Sequence, residues 1–206
     1  MKINSAIFHT SAADLKSCPR ADLPEFAFIG RSNVGKSSLI NSLSEKRELA
    51  KVSVTPGKTQ LINFFTMNSK WSLVDLPGYG YAAVGHHKRD GFNQAVSEYL
   101  SKRKNLYCIF ALIDSRLDPQ PIDLQFIAWL ATESLPFALV FTKIDKQSTS
   151  HTENTVRKFE QQLKLGGIEM PEIFISSAKT NKGRAELLTF INETLKKNKP
   201  HAVSGG

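Results

Sequence analysis

Residues 30 to 38 of the chain read Gly30-Arg31-Ser32-Asn33-Val34-Gly35-Lys36-Ser37-Ser38, and they follow the apolar run Phe26-Ala27-Phe28-Ile29. This is the spacing of a phosphate-binding loop between a strand and a helix. Its glycines allow the backbone to bend around an anion, so that successive N–H groups point at the β-phosphate of a nucleotide. In this interpretation Lys36 reaches the β- and γ-phosphates and the Ser37 hydroxyl binds Mg²⁺. We therefore predict a nucleoside triphosphatase; a plain glycine turn, the alternative, is disfavoured by the strand before the loop and the helix after it.

Two later motifs indicate which base is bound. The first, Thr142-Lys143-Ile144-Asp145, follows the apolar run 137–141. Its carboxylate can accept hydrogen bonds from the N1–H and the exocyclic amine of guanine, donors that adenine does not offer, and leaving Asp145 unpaired costs about 1–3 kcal/mol. The second, Ser176-Ser177-Ala178-Lys179, follows the apolar run 173–175, and a backbone N–H there can bind the guanine O6. In this order after the phosphate loop, the two motifs predict specificity for guanine.

A strand that ends in a metal-linked turn is predicted at Trp71-Ser72-Leu73-Val74, which leads into Asp75-Leu76-Pro77-Gly78. We expect Asp75 beside the metal through a water molecule and the Gly78 N–H next to the γ-phosphate, the arrangement by which a nucleotide orders a switch loop. Taken alone, these four residues also suit an ordinary turn.

In chain order these motifs resemble those of the translation-factor-related class of P-loop GTPases. A longer segment, Asp75-Leu76-Pro77-Gly78-Tyr79-Gly80-Tyr81-Ala82, is more specific. Together with Thr55-Pro56-Gly57-Lys58-Thr59-Gln60 and Asn63-Phe64-Phe65, it is similar to the EngB (YihA/YsxC) family of bacterial ribosome-biogenesis GTPases, over about residues 5–197. The resemblance implies a Ras-like fold, binding of GTP and GDP, and slow Mg²⁺-dependent hydrolysis of GTP. It also implies a role in assembly of the large ribosomal subunit, with that subunit or its precursor (rRNA and ribosomal proteins) as partner.

The resemblance also assigns residues to the first switch and to catalysis. Gly57, Lys58 and Thr59 fall in that switch, where Thr59 is expected to be the second protein ligand of Mg²⁺ and Thr55 is the alternative. The predicted metal ligands are Ser37, Thr59 and Asp75, and the predicted catalytic residues are Lys36, Thr59 and Gly78. The predicted nucleotide contacts are the residues of 30–38, 57–59, 75–78, 142–145 and 176–179.

Two positions depart from common GTPase patterns. Tyr79 stands where Ras-type enzymes carry a glutamine that orients the attacking water, which predicts slow turnover. Thr142 replaces the asparagine of the usual N-K-x-D, so the bond from that side chain to the phosphate loop is either lost or made by a hydroxyl. Guanine specificity should survive, because Asp145 carries it.

Composition and pattern indicate one α/β domain. The chain has 206 residues, 41% of them apolar and 22% charged, and its two cysteines, Cys18 and Cys108, are too few for a disulfide framework. Apolar strands alternate with helical patterns, which predicts a mostly parallel sheet with one antiparallel hairpin and helices on both faces. Strands are predicted at 25–30, 61–67, 70–75, 106–113, 137–142 and 172–176, with an edge strand at Ile3–Phe8, and helices at 36–44, 88–102, 121–133, 150–165 and 183–197.

The sequence pattern also predicts the bounds of the domain and the cellular location of the protein. A single GTP-binding domain is expected over residues 1–197 and a disordered tail over 198–206, where the helical pattern is lost. Because no segment approaches the roughly 20 apolar residues of a membrane span, we expect a cytoplasmic protein without a membrane partner. We also expect a monomer.

The excess of positive charge predicts a polyanionic partner. The chain carries 27 basic and 19 acidic residues, a formal net charge of +8, and binding of such a domain to nucleic acid weakens steeply as salt rises. The basic residues form three groups: Lys88, Arg89, Lys102, Arg103 and Lys104; Lys182, Arg184, Lys196, Lys197 and Lys199; and Lys46, Arg47, Lys51 and Lys58. Each group alone also suits an ordinary solvated helix face. Together they predict a nucleotide-gated RNA contact beside the switches.

A competing interpretation is a metabolic or repair ATPase, or the GTPase module of a tRNA-modifying or transport system. Asp145 argues against ATP, and the sequence shows no accessory or membrane domain that would favour the other two.

We predict that K⁺ accelerates the reaction through Asn33. The resemblance suggests this role, because several GTPases without the switch glutamine carry an asparagine here that binds K⁺, and a cation beside the phosphates can neutralise developing charge. Alternatively, Asn33 only accommodates the backbone angles of the loop. GTP hydrolysis measured at equal ionic strength should be faster in K⁺ than in Na⁺, and Asn33→Ala should lose the difference. Equal rates in the two salts would leave Asn33 a structural residue.

Overall fold

The computed structural model of the protein describes residues 1–46, 48–50, 61–79 and 94–198. Within these residues a seven-stranded sheet carries helices on both faces, which confirms the predicted α/β class. The strands are β1 (Ala6–Ala12), β2 (Glu25–Gly30), β3 (Ile62–Met67), β4 (Trp71–Asp75), β5 (Leu106–Asp114), β6 (Phe137–Thr142) and β7 (Glu172–Ile175). The helices are α1 (Lys36–Ser44), α2 (Gln94–Lys102), α3 (Pro121–Thr132), α4 (Thr149–Leu165) and α5 (Arg184–Lys197), and a 3₁₀ turn spans Ile144–Lys146.

The strands lie in the order β1-β3-β4-β2-β5-β6-β7. Strand β3 runs antiparallel to both of its neighbours, whereas β4, β2, β5, β6 and β7 pair in parallel. The predicted hairpin is β3–β4, and β1 adds a second antiparallel pairing at the sheet edge. The first part of the helix predicted at 88–102 and nearly all of the predicted tail lie outside the described residues.

The core has two halves, one on each face of the sheet. Phe26 and Phe28 belong to the half that contains α1 and α5, while Ala27 and Ile29 belong to the half that contains α2, α3 and α4. Successive side chains of a strand point to opposite faces, so a central parallel strand has to be apolar at every position. This is why the run before the phosphate loop lacks polar residues. Among the described helices, none is both long and apolar enough to cross a bilayer.

The edge strand differs from the prediction: it spans Ala6–Ala12, not Ile3–Phe8. The cause is Asn68, in the turn of the β3–β4 hairpin. Its side-chain oxygen accepts hydrogen bonds from the backbone N–H groups of Asn4 and Ser5, at 2.7 and 3.0 Å, and its amide donates to the Lys2 carbonyl at 2.7 Å. Residues 2–5 are therefore bound by one side chain of the turn, and the ladder with β3 begins only at Ala6.

The carboxyl ends of β2, β5 and β6 meet at one edge of the sheet. Gly30 pairs with Leu112, and Asp114 pairs with Thr142. The phosphate loop and the T-K-x-D motif, which begin where β2 and β6 end, therefore lie side by side. Position 30 has no room for a side chain, because a Cβ there would lie 2.8 Å from the Leu112 carbonyl oxygen and 2.9 Å from Val34 Cγ1.

A buried ion pair lies at the opposite edge of the sheet, where β2 begins. Arg103 donates to the Glu25 carboxylate through Nη2 at 2.6 Å and through Nε at 2.9 Å, and the Tyr99 hydroxyl donates to the same carboxylate at 2.7 Å. The side chains of Arg103 and Glu25 are 8% and 2% exposed. Arg103 is thus a structural residue that joins the end of α2 to the start of β2, and it is not available for RNA.

We predict that Arg103→Met destabilises the fold, because it leaves the Glu25 charge buried without its cation. The free energy of unfolding in urea should fall by about 3–5 kcal/mol. Lys104→Met is the matched control, since Lys104 is exposed, and it should change stability by less than about 0.5 kcal/mol. Equal stabilities of the two variants would contradict the assigned role of Arg103.

Candidate nucleotide-binding site

The phosphate loop bends through two left-handed backbone positions. Asn33 has φ of 62° and Gly35 has φ of 102°, and α1 begins at the next residue, Lys36, without a side-chain cap. The first N–H groups of α1 are therefore not bound by a capping side chain, and such groups favour an anion. Asn33 thus has the left-handed backbone that a purely structural role in the loop would require. Its binding of K⁺ stays a prediction.

Two side chains at the end of β6 hold the phosphate loop. The Thr142 hydroxyl donates to the Val34 carbonyl at 2.6 Å, and the Lys143 ammonium donates to the Asn33 carbonyl. A hydroxyl therefore makes the bond that the asparagine of N-K-x-D would make. Because the same segment ends in Asp145, the phosphate loop and the carboxylate predicted to bind the base belong to one connected unit.

Asp114, at the end of β5, fixes Lys143 and was missed by the sequence analysis. It is 5% exposed and accepts hydrogen bonds from Lys143 at 2.8 Å and from Arg116 at 2.8 and 2.9 Å. Burial opposes its ionisation, but the hydrogen bonds from Arg116 and Lys143 prevail and lower the pKa of Asp114 to about 2. The carboxylate is thus charged at neutral pH and keeps Lys143 over the phosphate loop.

The two motifs that are predicted to bind the base meet beside β6. Ser176 donates its N–H to the Phe141 carbonyl at 2.7 Å, and the Ser177 hydroxyl donates to Asp145 at 2.7 Å. This hydrogen bond lowers the pKa of Asp145. Ala178 is half-buried and Lys179 is exposed. Asp145 is therefore oriented as a charged acceptor, as its predicted contact with guanine requires.

The predicted second switch lies against the phosphate loop. Lys36 donates to the Asp75 carboxylate, and the side chains of Lys36 and Asp75 are 11% and 7% exposed. Gly78 lies so close to the loop that a Cβ there would be 2.7 Å from the Gly30 carbonyl oxygen. The structure thus brings Gly78 to the start of the phosphate loop and Asp75 to Lys36 at its end.

The donor set suits Mg²⁺ better than a softer metal. The described residues contain no group of three or more His, Cys, Asp and Glu side chains that could hold a metal ion. The hydroxyl of Ser37 and the carboxylate of Asp75 are oxygen donors, and Mg²⁺ is commonly bound by one or two such groups with water and substrate phosphates. The first-switch residues Gly57, Lys58, Thr59 and Thr55 lie outside the described residues, so their predicted contacts are not tested.

Known proteins are similar in sequence to most of this chain. Residues 25–143 match the model of a family described as 50S ribosome-binding GTPases. The chain is 47% identical over 191 residues to a probable GTP-binding protein EngB of Christiangramia forsetii, covering 93% of this chain and 96% of that protein. It is 50% identical over 194 residues to the protein of the same name from Flavobacterium psychrophilum, covering 94% and 95%.

Solved structures show the same fold. A crystal structure of a probable GTP-binding protein EngB superimposes with a TM-score of 0.64 at 21% identity, over 84% of this chain and all of that one. The structure of Era with MgGDPNP and nucleotides 1506–1542 of 16S ribosomal RNA gives a TM-score of 0.62 at 23% identity, over 86% of this chain and 58% of that one. Taken with the near-half identity of its relatives along almost the whole chain, the phosphate loop, guanine motifs and fold make this protein a member of the EngB family of GTP-binding P-loop GTPases.

Proposed function

We propose that this chain is a GTP-dependent switch that assists assembly of the large ribosomal subunit through an RNA contact that depends on the bound nucleotide. The observation that carries the proposal is the match of residues 25–143 to a family described as 50S ribosome-binding GTPases. The net charge of +8 supports a polyanionic partner. The proposed form is a monomer in the cytoplasm.

In this proposal the bound triphosphate replaces Asp75 as the ion-pair partner of Lys36. The two side chains now form an ion pair, and the β- and γ-phosphates offer the ammonium stronger acceptors in the same loop. Ser37, Thr59 and, through water, Asp75 would hold Mg²⁺, which neutralises charge on the phosphates. Nucleotide binding thereby alters the partners of a residue in the second switch, and a switch needs such a difference between its states.

Hydrolysis of GTP is proposed to be slow. The site has groups that stabilise charge on the phosphates, but it lacks the glutamine amide that orients the attacking water in Ras-type enzymes. Lys36, Thr59 and Gly78 are the proposed groups around the γ-phosphate. Tyr79 follows Gly78 and is 4% exposed, so its phenol does not replace the glutamine of Ras-type enzymes. A ribosomal partner would act on the lifetime of the GTP-bound state.

The RNA contact cannot involve the whole basic group predicted over 86–104. Arg103 is bound to Glu25 at the start of β2, whereas the phosphate loop follows its end, five residues or roughly 16 Å away. Lys102 and Lys104 are exposed at that far edge. Arg184 is also engaged, since it donates to the Ser42 carbonyl at 2.8 Å and pairs with Glu45 at 3.0 Å. The remaining cations of the group, Lys88 and Arg89, lie outside the described residues, in the segment that follows Gly78.

We predict that the double variant Lys88→Glu, Arg89→Glu weakens binding to large-subunit particles and flattens its salt dependence. Each removed phosphate contact should reduce the magnitude of the slope of log affinity against log salt by about one. The measurement is co-sedimentation with purified large subunits at several salt concentrations, with GDP and with a non-hydrolysable GTP analogue.

The matched control is Lys102→Glu, Lys104→Glu, which makes the same change of charge at the far edge of the sheet. It should retain nearly normal binding. If the two double variants weaken binding equally, the contact is only a general attraction between the positive chain and RNA. Binding that is the same with GDP and with the GTP analogue would contradict the proposed switch.

A further inference from the structure

A second buried carboxylate lies behind the phosphate loop and belongs to no predicted motif. Asp123, in the first turn of α3, is 1% exposed. Arg31, from the phosphate loop, donates to it through Nε at 3.0 and 3.1 Å, and the Tyr79 hydroxyl donates to it at 2.9 Å. One side chain of α3 therefore joins the phosphate loop to the first residue after the second-switch glycine.

These contacts are charged and buried. Burial raises the pKa of Asp123, against the charge of Arg31 and the hydrogen bond from Tyr79. Burial and the Asp123 carboxylate also hold the pKa of Tyr79 well above its ordinary value, so the phenol stays protonated at neutral pH. Tyr79 is thus a hydrogen-bond donor and not a base. A buried carboxylate loses a large part of its stabilisation when either donor is removed.

The Tyr79 ring is fixed as firmly as its hydroxyl. It stacks on Phe126, one turn further along α3, with the ring centroids 4.4 Å apart. The preceding residue is Gly78, whose backbone lies against the Gly30 carbonyl. With Tyr79 bound to α3 and Asp75 in β4, both ends of the short segment Leu76–Gly78 are attached to the rigid part of the fold.

We infer that Asp123 is a positioning residue for the γ-phosphate: by holding Tyr79 and Arg31, it sets where the Gly78 N–H stands relative to the phosphate loop. This rests on the proposed contact between Gly78 and the γ-phosphate. It assigns the tyrosine of the D-x-x-G-Y sequence a role different from that of the Ras-type glutamine, since it anchors the backbone and does not act on the attacking water. GDP lacks the γ-phosphate, so the anchor should matter for GTP alone.

Tyr79→Phe tests the inference, because it keeps the ring on Phe126 and removes only the hydroxyl. Affinity for a non-hydrolysable GTP analogue should fall about tenfold, the size expected for one hydrogen bond to a charged group. Affinity for GDP, measured by the same titration calorimetry, should change by less than about twofold. Asp123→Asn should weaken binding of the GTP analogue at least as much and binding of GDP to a smaller extent, because it also removes the charged partner of Arg31 in the phosphate loop. The double variant should lose little more than Asp123→Asn alone.

Tyr99→Phe is the matched control. Tyr99 is another fully buried phenol that donates to a buried carboxylate, Glu25, but it lies at the far edge of the sheet. It should lower stability without altering the ratio of GTP to GDP affinity. The inference is overturned if Tyr79→Phe leaves both affinities unchanged, weakens both equally, or shifts their ratio no more than Tyr99→Phe does. Because no ribosomal particle enters these titrations, failure of the proposed ribosomal role would leave their outcome unaffected.

Discussion

The hydrogen bonds from Thr142 and Lys143 to the carbonyls of Val34 and Asn33 hold the phosphate loop in its bent form. Asn33 and Gly35 are residue types that tolerate left-handed positions, and hydrogen bonds from outside the loop fix that one path among those open to the chain. Here the support comes from the end of β6, the strand that also leads into Asp145. The segments predicted to bind the phosphate end and the base end of the nucleotide therefore form one connected piece of structure.

Three of the four buried carboxylates among the described residues, Glu25, Asp114 and Asp123, each join separate parts of the fold. Glu25 is satisfied by Arg103 and Tyr99 at the far edge of the sheet and serves stability. Asp114 and Asp123 lie at the other edge, where each ties a cation of the nucleotide site to the core. In each case a guanidinium or ammonium group offsets the cost of burying the charge. The positive excess of the chain is therefore partly internal, and the net charge alone overstates the surface available to RNA.

Much of the fold follows from local pattern. Each predicted strand and helix core that falls on described residues is present, since strict burial on two faces and the 3.6-residue period leave clear signals in the sequence. The edge strand was misplaced because one side chain, Asn68, takes over the backbone groups of residues 4 and 5. Sequence periodicity contains no record of such a contact, which joins residues more than 60 positions apart.

The site was predictable where a motif is contiguous and unpredictable where partners are distant. Lys36, Asp75 and Asp145 stand in short motifs, and the structure brings these motifs to one edge of the sheet. Asp123 stands in a mostly apolar helix, 92 residues from Arg31, and only the tertiary structure shows the pair. Arg103 failed as an RNA contact for the same reason, since its partner Glu25 is 78 residues away.

One carboxylate, that of Asp145, is proposed to select the guanine base while Ser177 holds it and β6 joins it to the phosphate loop. The most direct test of this role is the affinity of the wild-type chain and of Asp145→Asn for GDP and for xanthosine diphosphate. An amide offers a donor where xanthine presents an oxygen, so we expect the variant to prefer xanthosine diphosphate while the wild type prefers GDP. A folded variant that still prefers GDP would contradict the claim.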